Sequence, residues 1–232
     1  MAQSRDDFVY MARVTEQMER YDEMVEHMVK ASEFGEPLAL EERNLLSVAF
    51  KNSVGSRRAA WRVISSIESR EKDKGQPEQA ALAESYRNKI EGELHTTCAR
   101  ILELMDKQLI PSASDGETKV FYAKMKGDYY RYKAEFSSGD VKSAAADSAK
   151  DAYSDAMTIA TADLAVTHPI RLGLALNFSV FHYEVLDNQE EACRMARTAF
   201  EDAIAELDNV SEEQYKDSTL IMQLLRDNLT LW

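Results

Sequence analysis

The chain has 232 residues, of which 44% are hydrophobic and 30% charged, and its formal net charge is −13. That length can bury a real core in one large domain or two small ones, and the low content of glycine (8) and proline (4) favours an all-helical protein. The acidic balance disfavours DNA, RNA and anionic membranes as ligands, so a local basic stripe on such a chain indicates a discrete anion.

Apolar residues recur at spacings of three and four along the chain, which predicts nine helices and no strands. The predicted helices cover about residues 4–18, 21–34, 40–69, 78–109, 116–136, 140–161, 169–186, 188–207 and 211–232. Residues 70–77 are interpreted as a loop, and Pro111 is expected to end the fourth helix. The predicted capping residues are Ser4, Ser114, Asp140, Asn188 and Ser211. Since most connections are short, we expect a single antiparallel all-α domain over residues 1–232.

The third predicted helix, within Arg43 to Glu68, carries a narrow basic stripe opposite a broad apolar face. On a helical wheel the stripe consists of Asn44, Val48, Lys51, Gly55, Arg58 and Arg62. Its three cations repel one another unless an anion lies between them. The stripe therefore indicates an anion site, although cations that are solvated or paired with nearby acids would give the same pattern.

A second basic feature lies in the segment KMKGDYYRY at 124–132. Lys124 and Arg131 are seven residues apart and so share a helix face, with the phenol of Tyr132 next to Arg131. If this helix packs beside the third one, Lys51, Arg58, Arg131 and Tyr132 would converge on a phosphate, for which the donor fork of arginine is well suited. Pairing of these cations with Glu41, Glu42 and Asp128 is the alternative.

Two later helices combine amide and apolar side chains. Asn177 and Glu184 are seven residues apart beside Leu176 and Val180. The last helix has one face formed by Ile221, Leu224, Asn228 and Trp232. An asparagine beside an apolar stripe can hydrogen-bond an extended peptide backbone through both ends of its amide. These faces suit either a peptide groove or a core that tolerates polar residues.

Enzyme and metal patterns are not supported by the sequence. The four histidines are scattered, and Cys98 and Cys193 have neither the context of a disulfide nor the spacing of a zinc site. There is no phosphate-binding glycine loop or nucleophile elbow. We therefore expect no catalytic residues, no metal and no cofactor. The N-terminus does not resemble a signal peptide and no apolar run approaches ~20 residues, so we expect a cytoplasmic protein, with the nucleus as a second compartment.

Four segments resemble motifs of the 14-3-3 protein family, in family order. They are RNLLSVAFKNSVGSRRAAWRVISSIE at 43–68, KMKGDYYRY at 124–132, LGLALNFSVFHYE at 172–184 and YKDSTLIMQLLRDNLTLW at 215–232. The resemblance implies nine antiparallel helices in an L- or cup-shaped protomer with a concave amphipathic groove. Its first four helices, over about residues 4–110, would form the dimer and part of the phosphate pocket, and residues 116–232 would form the rest of the ligand groove. Many members carry a phosphorylatable serine at the position of Ala60, so a switch at that site is not carried over.

The resemblance also implies roles for individual residues. The phosphate ligands would be Lys51, Arg58, Arg131 and Tyr132. The peptide groove would be formed by Val48, Leu176, Asn177, Val180, Glu184, Ile221, Leu224, Asn228 and Trp232. The dimer interface would contain Val14, Met18, Arg20, Glu23, Ala60, Val63, Tyr86, Lys89 and Glu93, with Arg20–Glu93 and Glu23–Lys89 as ion pairs between protomers.

The function implied by the resemblance is that of a non-enzymatic adaptor. It would bind phosphoserine or phosphothreonine segments of many client proteins in signalling, as a homodimer or as a heterodimer with a paralogue, without nucleic acid or membrane insertion. The alternatives are a helical scaffold that binds its partners independently of phosphate and a helical-bundle enzyme. The first lacks a repeat period, and the second lacks a base, a nucleophile or a metal site.

Overall fold

The computed structural model describes residues 4–232, and this part of the chain contains nine helices of twelve residues or more. They are α1 (Arg5–Gln17), α2 (Tyr21–Ser32), α3 (Leu40–Asp73), α4 (Pro77–Leu104), α5 (Gly116–Glu135), α6 (Gly139–Asp163), α7 (Pro169–Glu184), α8 (Gln189–Ala205) and α9 (Glu212–Leu231). Shorter helical turns occupy Met105–Leu109, Ile110–Ser112 and Leu207–Asn209. The all-α prediction is confirmed over the described range.

Three of the five predicted capping residues are confirmed. The side chains of Ser4, Asn188 and Ser211 each accept a backbone N–H three residues ahead, at 3.2, 3.1 and 3.3 Å. Two predictions are wrong by one or two positions. Asp115, not Ser114, caps α5 by accepting the N–H of Thr118 at 2.8 Å. The next helix begins at Gly139, so Asp140 lies inside its first turn, where a carboxylate still favours the helix dipole.

Two boundaries around α4 differ from the prediction. The segment interpreted as a loop at 70–77 is helical to Asp73, and the chain turns only at Gly75, whose φ is +69°. Charged residues such as Arg70 and Lys72 are compatible with a helix and are favourable at its C-terminal end. The fourth α-helix ends at Leu104, before Pro111, and a π-helical turn over Met105–Leu109 follows it. Pro111 lies in the short helical turn Ile110–Ser112 that comes next. A wider turn relieves the clash that a proline ring makes with the carbonyl of the preceding turn.

Packing divides the chain into two compact units, one ending at Ser112 and the other covering Ala113–Trp232. In the first unit, α1 packs on α2, α2 on α3 and α3 on α4. Its core consists of fully buried side chains, including Met24, Met28, Leu46, Phe50, Leu94 and Ile101. The early part of α3 supplies this core through Leu45, Leu46, Ala49, Phe50 and Val54.

The second unit is built from α5 to α9. Helix α5 packs on α6 and α7, α7 also packs on α6, α8 and α9, and α8 packs on α9. Its first core cluster surrounds Tyr153 and contains Val120, Leu174, Phe178 and Phe181. A second cluster contains Leu172, Ala196, Met222 and Leu225. Helix α7 contributes to both clusters, through Leu174, Phe178 and Phe181 in the first and Leu172 in the second.

Candidate functional site

A buried carboxylate on α5, Asp128, is the centre of a polar cluster in the second unit. Its Oδ1 accepts hydrogen bonds from the Tyr153 hydroxyl at 2.5 Å and from Asn177 Nδ2 at 2.8 Å. Its Oδ2 accepts from Lys124 Nζ at 3.0 Å. Arg131 Nε donates to the Tyr153 hydroxyl at 3.1 Å, and Arg131 Nη2 lies 3.6 Å from Asp128 Oδ1. One carboxylate thus connects side chains from α5, α6 and α7.

Helical spacing and one glycine assemble this cluster. Lys124, Asp128 and Arg131 lie four and three residues apart on α5, so they share a face. Gly127 makes room for Tyr153 of α6, because a Cβ at position 127 would lie 2.6 Å from the tyrosine ring. The ring stacks on Phe178 with centroids 5.2 Å apart. The apolar body of Tyr153 is therefore fixed in the core while its hydroxyl reaches the charged groups.

Burial and charge act against each other in this cluster. Burial raises the pKa of Asp128, but the nearby Lys124 and Arg131 outweigh it, so that the pKa lies below its ordinary value. Burial lowers the pKa of Arg131, which is only 9% exposed, but the oxygens of Tyr153 and Asp128 raise it above the ordinary value. Burial and the Asp128 charge raise the pKa of Tyr153. At neutral pH the phenol is therefore protonated, between a carboxylate and a guanidinium.

The remaining edge of the Arg131 guanidinium faces less buried groups. Its Cζ lies 4.8 Å from the centroid of the Tyr132 ring, and its Nη1 lies 3.9 Å from Glu184 Oε2. The Glu184 side chain is half-exposed, so this long ion pair is weak. A more strongly charged anion would compete with Glu184 for that edge.

The other two predicted phosphate ligands, Lys51 and Arg58, lie on α3 in the first unit. Lys51 is exposed and Arg58 partly exposed, while Val48, one turn before Lys51, is partly buried. The two cations lie on the polar side of α3, away from the core residues Leu46 and Phe50. Each unit therefore supplies two of the four predicted ligands, and their convergence remains a prediction.

Apart from Val48 of α3, the predicted apolar wall lies on α7 and α9, which pack together in the second unit. Leu176, Val180 and Ile221 are partly buried, and Leu224 is exposed. Leu176, Ile221 and Trp232 also pack on a core cluster, as the core interpretation requires, and their place in a peptide groove remains a prediction. Asn228 is partly exposed, and the Trp232 ring stacks on Tyr183 with centroids 4.8 Å apart.

The predicted dimer residues form a largely exposed set in the first unit. Met18, Val63 and Tyr86 are more than half exposed, Ala60 is exposed, and Val14 is partly buried. Within the chain, Arg20 pairs with Glu23, Glu93 pairs with Arg57 at 3.2 Å, and Lys89 Nζ lies 5.6 Å from the centroid of the Tyr86 ring. The two ion pairs expected between protomers remain predictions.

Two further features of residues 4–232 concern membranes and metals. No helix in this range combines the length and apolar character needed to cross a bilayer. The same range contains no group of three or more His, Cys, Asp or Glu side chains arranged to hold a metal ion.

Sequence reasoning missed the roles of Asp128 and Tyr153. It treated Asp128 only as a competing partner for the cations, and it did not single out Tyr153. The available signals were the spacing of Lys124, Asp128 and Arg131 on one helix face and the presence of Gly127 inside a helix, where glycine is unfavourable without a packing reason.

Taken together, these features define an all-α protein that presents cations, an oriented amide and partly exposed apolar residues. The family model described as 14-3-3 protein matches residues 11–232, and the chain belongs to the 14-3-3 family. The 14-3-3 family protein artA of Aspergillus flavus is 61% identical over 227 residues, which are 98% of this chain and 95% of that protein. The checkpoint signal transducer rad25 of Schizosaccharomyces pombe is 60% identical over 232 residues, 100% of this chain and 86% of that protein. The 14-3-3-like protein G-BOX factor 14 lambda of Arabidopsis thaliana is 60% identical over 231 residues, 98% of this chain and 93% of that protein.

Proposed function

We propose that this protein is an adaptor that binds phosphoserine or phosphothreonine segments of client proteins and thereby regulates signalling. The phosphate would be held by Lys51 and Arg58 of α3 together with Arg131 and Tyr132 of α5. The observation that carries the proposal is the buried Arg131, whose Nε donates to the Tyr153 hydroxyl while its Nη1 lies 3.9 Å from the half-exposed Glu184. A phosphorylated side chain brings roughly −1.5 to −2 charge, more than one carboxylate can offer.

The peptide on either side of the phosphate would be bound as an extended backbone. Asn177 and Asn228 supply amides for its N–H and C=O groups, with Glu184 and Trp232 beside them. The apolar side chains of the client would contact Val48, Leu176, Val180, Ile221 and Leu224. This division into a polar side and an apolar side supports recognition of a segment longer than the phosphorylated residue alone.

We also propose that two chains associate through their first units, as a homodimer or with a paralogue. A two-fold dimer has two ligand sites, so it can bind two segments of one client with a raised effective concentration. The names of the relatives support a role in signal transduction, since one of them is a checkpoint signal transducer. No catalytic step is part of the proposal.

Fluorescence anisotropy with one Arg-rich peptide, prepared with and without phosphate on its serine, tests the binding proposal. We expect micromolar or tighter binding of the phosphorylated form and at least about a hundredfold weaker binding of the other, which corresponds to roughly 2.8 kcal/mol. Equal binding of both forms would instead support a scaffold that is independent of phosphate.

Val63→Glu is expected to convert the dimer into monomers at micromolar concentration. Val63 is 60% exposed on α3, and a two-fold interface buries it twice, so the substitution places two unpaired carboxylates in the interface. The dimer dissociation constant should rise about a hundredfold or more, measured by sedimentation velocity. The matched control is Val141→Glu on α6, which changes a 51% exposed valine outside the predicted interface and should leave the mass unchanged. A wild-type chain that sediments as a monomer refutes the interface.

A further inference from the structure

We propose that Tyr153 and Asp128 are positioning residues, which orient the Arg131 guanidinium and the Asn177 carboxamide for the ligand without touching it themselves. The inference rests on the proposed function, because it takes the ligand to be a phosphorylated peptide. It adds two residues that sequence reasoning did not assign to the site, one on α5 and one on α6.

The direction of the hydrogen bonds around Asp128 follows from the chemistry of the groups. A carboxylate only accepts, so the Tyr153 hydroxyl must donate its single hydrogen to Asp128. The phenol oxygen is then left to accept the Nε–H of Arg131. The result is a directed chain from Arg131 through Tyr153 to Asp128, which fixes the rotation of the guanidinium plane.

The same carboxylate determines which way the Asn177 amide faces. Only the NH₂ end of the amide can donate to Asp128 Oδ1, at 2.8 Å. The carbonyl end of Asn177 therefore remains the acceptor available to a peptide N–H. Asp128 thus determines the orientation of the Arg131 guanidinium, proposed to bind phosphate, and of the Asn177 carboxamide, proposed to bind the peptide backbone, before any ligand binds. Such pre-organisation lowers the entropy lost on binding.

The role of the Tyr153 hydroxyl is separable from the packing of its ring. The ring is held by Phe178, by Phe181 at a centroid distance of 5.6 Å, and by the space that Gly127 leaves. Tyr153→Phe keeps that aromatic body and removes only the oxygen between Arg131 and Asp128. The fold should persist, while the guanidinium loses the contact that fixes its rotation.

A double-mutant cycle tests the inference with the phosphorylated Arg-rich peptide. Tyr153→Phe should weaken binding about tenfold, the size expected for one hydrogen bond to a charged group. Arg131→Lys keeps a cation but lacks Nε, so adding Tyr153→Phe to it should change the affinity by less than about twofold. Equal losses in both backgrounds, or no loss in the single variant, would overturn the positioning role, since a purely structural effect is independent of Arg131.

Control variants keep the outcomes distinct. Tyr130→Phe makes the same change at a partly buried tyrosine beside the same core cluster and should leave affinity within about twofold. If Tyr153→Phe fails to fold by circular dichroism, Asp128→Asn replaces it in the cycle with Arg131→Lys, with the same criterion. A second cycle, with Asp128→Asn and Asn177→Ala, tests whether Asp128 orients the Asn177 amide. The loss of phosphopeptide affinity in the double variant should be smaller than the sum of the losses in the two single variants.

The wild-type protein separates failure of this inference from failure of the proposed function. If the wild type does not distinguish phosphorylated from unphosphorylated peptide, the proposed function falls. If the wild type does distinguish them and Tyr153→Phe binds as the wild type does, only the positioning role falls.

Discussion

Lys51→Glu is expected to abolish binding of the phosphorylated peptide while leaving the helical fold intact. Lys51 is exposed on the polar side of α3, so the reversal disturbs no core packing. It exchanges an attraction to the phosphate dianion for a repulsion, and we expect the affinity to fall at least about a hundredfold. Fluorescence anisotropy measures the loss, and far-ultraviolet circular dichroism checks the fold.

Arg70→Glu is the matched control, because it reverses an exposed cation on the same helix. Arg70 pairs with the adjacent Glu71 at 3.2 Å and lies near the end of α3, outside the predicted site. Its affinity should stay within about threefold of the wild type. If both variants lose affinity equally, the effect belongs to the overall charge of the protein and not to a phosphate site. If Lys51→Glu unfolds, the lysine is structural.

Asp128→Ala is expected to be the most destabilising single change in the polar cluster of the second unit. It leaves Arg131 buried without its carboxylate and removes the acceptor of Tyr153, Asn177 and Lys124. Breaking a buried ion pair from one side costs about 3–5 kcal/mol, and urea unfolding followed by circular dichroism measures the free energy of unfolding. Phosphopeptide binding should be lost with it.

The pH dependence of stability gives the same carboxylate an independent signature. The pKa of Asp128 is lower in the folded state than its ordinary value of 3.8. The ionised carboxylate therefore adds to the free energy of unfolding above pH 3.8, and this contribution is lost as the pH falls through the folded-state pKa. The difference in the free energy of unfolding between the wild type and Asp128→Ala should accordingly shrink in acid. The control Asp227→Ala removes a half-exposed carboxylate and should change stability by less than about 0.5 kcal/mol. A similar loss in both variants would contradict the buried pairing.

The sequence predicted the helices well because their signals are local. Apolar spacing and capping side chains such as Ser4 and Ser211 act within a few residues, so they can be read without the tertiary structure. The prediction ends α3 too early, because the charged run that begins at Arg70 resembles a loop although its residues are good helix formers. The actual break is Gly75, at a positive φ, followed by Pro77 in the first turn of α4.

The candidate site was predictable only in part for a related reason. The types and spacing of Lys51, Arg58 and Arg131 indicate an anion without knowledge of the fold. The buried connection through Tyr153 depends on a residue 25 positions from Asp128, brought near by the packing of α5 on α6. No local pattern specifies that pairing, and Gly127 is its only trace in the sequence near Asp128.

The continuity of α3 has a mechanical consequence. Lys51, proposed to bind phosphate, and Val63, proposed to bind a second chain, lie on one unbroken helix, separated by about 18 Å at 1.5 Å per residue. Because the rise per residue of an α-helix is nearly constant, α3 holds the two surfaces at this spacing, and changing it requires the helix to bend. Glycine stabilises a helix less than other residues, so we expect bending at Gly55, the one glycine in α3, which lies between them. A Cβ at position 55 would meet nothing within 4 Å, so Gly55→Ala can be accommodated. The substitution would stiffen the helix and hold the two surfaces in a more constant relative position.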